Sequence, residues 1–205
     1  MNHRRWIYLS FVLALLLGGC GGMKTYLAGT TSTVEMYHIF DIKTPAPSTA
    51  VTTAANAGLG KNATDVQTGT PAQASAEVPA EPGRFKIAKL DNAALKSANC
   101  DGALWAARAQ KAGVGTDNIA LYGCLYKYQA GYQLDTFATF VKAEGGWLTL
   151  PRYVRSKWRG TPEGWADKAV LDMVHEIEAA SGVRATHLEG QPQLPGSPAV
   201  ASTGQ

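Results

Sequence analysis

The sequence predicts an α+β fold: an antiparallel sheet with two helices packed on one face, and one disulfide. Three observations carry the prediction. Within residues 119–144, two apolar runs flank Gln129-Ala130-Gly131, a link of hairpin length containing a glycine. Residues 161–182, TPEGWADKAVLDMVHEIEAASG, hold a helix start, an apolar stripe and a helix stop. Cys100 and Cys124 make a candidate bridge.

Taken in order, residues 34–42 (VEMYHIFDI) alternate. Val34, Met36, His38, Phe40 and Ile42 share one face, and Glu35, Tyr37, Ile39 and Asp41 the other, which is the period of a strand. Pro45 and Pro47 break it. Ser48 is then placed to cap a helix with Ala50, Val51, Ala54, Ala55 and Leu59 at helical spacing, and Gly58 and Gly60 suit its end. TDVQTG is a short candidate strand, residues 70–83 read as a surface loop rich in Pro, Ala and Glu, and residues 84–90 read as another strand. Residues 91–112 fit a short helix or a loop pinned by Cys100.

In the hairpin, Tyr122, Cys124, Tyr126 and Tyr128 share one side and Ile119, Leu121 and Leu125 the other. The tyrosine row, with Tyr132, is expected to be the outer face of the sheet or the lining of a groove. Glu144-Gly145-Gly146 is a second turn, and Trp147 to Leu150 start another strand. In the long helix Thr161 is the cap, Pro162 fits the first turn, Glu163 suits the positive end of the dipole and Gly182 the stop. Ala166, Val170, Met173, Val174 and Ile177 form its stripe. VRATHL is a final strand, and residues 190–205 have too little apolar content to pack and read as disordered.

The N-terminus speaks to location. Arg4 and Arg5 precede an apolar stretch from Trp6 to Leu17, twelve residues long. Crossing a bilayer as a helix takes about 20 residues, so the stretch reads as a secretory signal. It ends in Leu17-Gly18-Gly19-Cys20. This resembles the lipobox of bacterial envelope lipoproteins: an aliphatic residue, two small residues and a cysteine. The resemblance implies removal of residues 1–19 and acylation of Cys20. Two or three acyl chains hold a protein on a membrane far more firmly than one, at about 0.8 kcal/mol per buried methylene. Gly21 stands where an aspartate would retain an enteric lipoprotein in the inner membrane, so the resemblance implies the outer membrane, facing the periplasm. Residues 20–32 are then the lipidated cysteine and a small, polar tether, and residues 33–189 a single domain. An exported compartment is oxidising, which favours a Cys100–Cys124 disulfide over a thiol nucleophile or a metal site. Helix-grip folds, as in small lipoprotein subunits of outer-membrane assembly machines, resemble the expected order of elements, and a ferredoxin-like layout is the alternative.

The formal charge is +3. Removing the signal takes Arg4 and Arg5 and no acid, so the mature chain carries +1. That disfavours nucleic acid as a partner, which demands many phosphate contacts. Few residues offer chemistry. His38, His175 and His187 lack the i, i+4 spacing of paired ligands on a helix, and His38 reads as a hydrogen-bonded core histidine. GVGTD lacks the lysine of a phosphate loop, and there is no G-x-S-x-G. No catalytic residue, metal ligand or cofactor is assigned. The most distinctive polar stretch is PRYVRSKWRG, residues 151–160, where Arg152, Arg155, Lys157 and Arg159 interleave with Tyr153 and Trp158. Such a set suits an anionic surface; its plainer reading is a solvated loop. The expectation is a non-enzymatic binding or envelope-assembly module whose partners are the membrane, through its anchor, and an envelope protein or cell-wall component. The alternatives are an enzyme acting on cell wall or lipid, and a small-ligand or inhibitor module.

Overall fold

The computed structural model describes residues 30–63, 65–71, 77–89, 95–111, 119–144 and 161–195. Nearly all described elements belong to one compact unit drawn from residues 33–142 and 160–205. In chain order they are β1 (Thr30–Ile42), α1 (Ser48–Gly60), β2 (Asp65–Gly69), β3 (Lys86–Lys89), β4 (Lys96–Asn99), β5 (Trp105–Lys111), β6 (Ile119–Tyr128), β7 (Gly131–Glu144), α2 (Pro162–Ser181) and β8 (Thr186–Gln191). Six strands form an antiparallel sheet in the order β2-β5-β6-β7-β1-β8, and β3 and β4 form a separate two-stranded ladder. The predicted α+β class with two helices and a bridged cysteine pair is the architecture observed.

Strand alternation sorts the sheet's side chains. Met36, Phe40, Trp105, Leu121, Leu125, Leu134 and Phe140 join a main core that takes in the buried residues of both helices. Val51, Ala54, Ala55 and Leu59 of α1 meet Val170, Met173, Val174 and Ile177 of α2 there. The helices touch closely at Gly58: a Cβ built on it would lie 2.4 Å from Met173 Cα, so only glycine fits. This glycine therefore serves a helix–helix contact and not the helix end expected of it. Trp105 Nε1 donates to Asn56 Oδ1 at 3.0 Å, and Trp165 Nε1 donates to the Asn62 carbonyl at 2.7 Å. Each indole thus buries its apolar body and satisfies its donor.

The caps of α2 are those predicted. Thr161 Oγ1 accepts from Gly164 N at 3.0 Å, proline opens the first turn, and Gly182 closes the helix in the left-handed region at φ 71°. At α1 the expected cap is corrected. Pro47 holds the N-cap position with no side-chain cap, and Ser48 lies inside the helix with its hydroxyl 3.2 Å from Tyr132 Oη. Proline sets the entry angle and leaves Ser48 Oγ free for that long-range bond.

Three further expectations are corrected. Residues 91–112, read as a helix or loop, contain β4 and β5. The alanine-rich WAARAQK prefers a helix by intrinsic propensity, but a ladder with β6, from Trp105 opposite Leu125 to Lys111 opposite Ile119, overrides it. The tyrosine row is not an open face: Tyr122, Tyr126 and Tyr128 are buried, and Tyr132 belongs to the main core. Phe85 and Ala98 cover Tyr122 and Phe137, while Cys100 and Ala103 pack on Tyr126. Burying one large apolar side chain stabilises by about 1.5–3 kcal/mol, which recruits the segment around β3 and β4 onto the sheet. Finally, β8 runs to Gln191 and Leu194 is buried in the main core, so ordered structure passes Glu189, the expected domain end. One leucine anchors a segment whose composition alone reads as unable to pack.

Candidate functional site

The sheet register builds three sites. Cys100 and Cys124 are disulfide-bonded with Cα atoms 5.4 Å apart, within the usual span. The bridge ties the residue after β4 to the middle of β6, in a small cluster separate from the main core. Beside it, Asp135 is fully buried on β7. Its carboxylate accepts from Phe85 N at 3.1 Å and from Gln133 Nε2 at 2.8 Å, and Gln133 also donates to the Gly83 carbonyl. Burial pushes Asp135 up to about 6, offset in part by those two bonds and by Arg84. Arg84 is itself ion-paired with Glu189. These contacts clasp residues 83–85 to the sheet.

The second site pairs His38 of β1 with His187 of β8. Both are 2% exposed, with ring centroids 5.4 Å apart, and Phe40 stacks near His187 at 4.9 Å. Among the described residues no ring nitrogen of either has a hydrogen-bond partner. This corrects the expectation of a hydrogen-bonded core histidine: His38 is buried, but its neighbours include a second imidazole and the bare Cα of Gly190. A Cβ on Gly190 would fall 2.2 Å from His38 Nδ1 and 2.8 Å from His187 Nε2. Burial first, and the His187 charge second, lower His38 to about 4. Burial also lowers His187, opposed by the Glu189 backbone, which favours the charged ring from outside hydrogen-bond geometry.

The third site is a cleft of 340 Å³ lined by β2, β5 and β6, by the end of β4 and by Cys100. Gln67 of β2, Arg108 of β5 and Tyr122 of β6 stand in one cross-strand row. The next row along is Gly69, Ala106 and Cys124. Its lack of bulk, between the disulfide and Arg108, opens the cleft. The Arg108 guanidinium lies 5.9 Å from the centre of the Tyr122 ring. Its Nε is buried with no hydrogen-bond partner, and Arg108 makes no ion pair among the described residues.

Of the residues singled out from sequence, the structure joins Cys100 to Cys124. Cys20 and the cationic set Arg152, Arg155, Lys157 and Arg159 lie outside the described residues, as do the expected turn at 145–146 and the strand at 147–150. Arg108, Asp135 and the His38–His187 pair were missed as sites. The one local signal was Arg108 itself, a cation alternating with the buried Ala107 and Ala109. Among the described residues no group of three or more His, Cys, Asp or Glu is placed to hold a metal. No described helix is long and apolar enough to cross a membrane. No family model, curated protein or solved structure matches this chain.

Proposed function

We propose that this chain is a lipid-anchored envelope protein that works as a non-enzymatic binding module on the periplasmic side of the outer membrane. The observation that carries the reading is Leu17-Gly18-Gly19-Cys20 behind Arg4, Arg5 and a twelve-residue apolar stretch. The Cys100–Cys124 bridge supports it, because disulfides persist in oxidising compartments. The cleft beside that bridge supports binding as the activity: its lining combines small residues (Gly69, Ala98, Ala106, Ala107) with the polar Gln67, Thr68 and Asn99, and it presents Arg108, which makes no ion pair among the described residues. Envelope proteins or cell-wall components are the partners such a location offers.

The test is metabolic labelling with palmitate in a Gram-negative host, comparing the parent chain with Cys20→Ser. The parent takes up label and fractionates with membranes. The variant takes up none and keeps its signal. Equal labelling of the two ends the reading.

A further inference from the structure

The geometry points to the cleft between the sheet and β4 as a binding site for a small organic monocarboxylate, gripped by the guanidinium of Arg108. This deepens the reading of the chain as a binding module and names its ligand class.

Four observations converge. A half-buried cation is ordinarily paired, because desolvating a charge without compensation is costly. Arg108 is half-buried, its Nε is enclosed without a hydrogen-bond partner, and it makes no ion pair among the described residues. The guanidinium carbon lies over the Tyr122 ring, 5.9 Å from its centre. The two terminal nitrogens, which are not among the enclosed atoms, form a two-donor fork matched to the two oxygens of a carboxylate. The charge count favours a monoanion: among the described residues Arg108 is the only charged one lining the cleft, so a phosphate dianion would leave one charge uncompensated there. The remaining walls set the rest of the ligand. Ala98 and Ala106 accept a short apolar group, and the side-chain amides of Gln67 and Asn99 can meet an amide or hydroxyl. The volume of 340 Å³ is at the small end of ligand pockets, which run from about 300 to 1,000 Å³.

The test is calorimetric titration of the full-length protein in detergent with N-acetyl-alanine. N-acetyl-alanine amide and inorganic phosphate serve as the comparison probes. The first binds saturably, and the other two bind at least about tenfold more weakly, the loss expected from one charge-assisted pair. Arg108→Gln weakens N-acetyl-alanine by at least about the same factor. A second variant guards against misfolding. Gly69 lines the cleft, and a Cβ on it meets nothing within 4 Å, so Gly69→Val folds, suits a strand and fills the opening. It likewise weakens N-acetyl-alanine by at least about tenfold while leaving the melting temperature within the usual range for surface changes. The proposal is overturned if N-acetyl-alanine gives no saturable heat, if the amide binds equally, if phosphate binds more tightly, or if both variants keep parental affinity. Palmitate labelling of Cys20 reads the anchor independently, so failure of the ligand and failure of the location are distinguishable.

Discussion

Burial pushes the ionisable groups of Asp135 and His38 toward neutrality, and this gives them opposite effects on stability. Folded His38 titrates near 4, against 6.5 for a free imidazole. Between those values the unfolded chain binds the extra proton, so this residue makes stability fall as pH falls from about 6.5 to about 4. Folded Asp135 titrates near 6, against 3.8 for a free carboxyl. Here the folded chain binds the extra proton, so stability rises as pH falls from about 6 to about 3.8. Each effect has a limiting slope of about 1.4 kcal/mol per pH unit, and in the shared window they oppose. The groups around them are His187, Glu189 and Arg84, and Glu189 and Arg84 are paired with each other. Two substitutions separate the effects. In Asp135→Asn, urea unfolding across pH 6.5 to 4 shows stability falling more steeply than in the parent. In His38→Gln it falls less steeply or rises. Parallel profiles in all three proteins would contradict this account of the buried groups.

Among the elements, the helix pair has one narrow tolerance. Gly58→Ala places a methyl 2.4 Å from Met173 Cα and 2.5 Å from the Asp172 carbonyl oxygen, and neither backbone atom can turn aside. The helices must separate, at a cost of about 1–3 kcal/mol typical of overpacking, even though alanine is the better helix former. Denaturant titration that finds Gly58→Ala at least as stable as the parent would contradict the close approach. The same element shows what a sequence makes legible. The caps and stripe of α2 are local signals, written within the helix, and they read correctly. So does the β6–β7 hairpin, where turn and alternation sit together. In α1 the apolar spacing is local, but the role of Gly58 depends on a helix over a hundred residues later. β5 was not legible, because Ala106, Ala107 and Ala109 favour a helix until β2 and β6 pair on either side. The β1–β8 pairing joins distant parts of the chain, and with it the His38–His187 contact stayed hidden.

For the molecule as a whole, the sequence carries a cue to location and none to the proposed ligand cleft. The cue is the short contiguous Leu17-Gly18-Gly19-Cys20, which resembles a lipobox, and Cys100 and Cys124 become informative once an oxidising compartment is inferred. Arg108 acquires meaning only when three strands align it with Gln67 and Tyr122, under a disulfide that fixes the cleft's rim. In its own neighbourhood only its alternation with Ala107 and Ala109 sets it apart from a solvated arginine. The cationic set at 152–159 is legible in the opposite sense: its composition is distinctive, and its geometry lies outside the described residues. In the proposed arrangement, an anchored domain holds a bridged, cleft-bearing sheet face near the membrane. The anchor at Cys20 is the claim on which the rest of that arrangement hangs. Intact-mass spectrometry of the protein purified from membranes tests it most directly, together with fragmentation of its first peptide. The account predicts a chain that begins at Cys20, lacks residues 1–19, and carries two or three acyl chains on that residue. A chain that begins at Met1, or one with an unmodified thiol at Cys20, would contradict it.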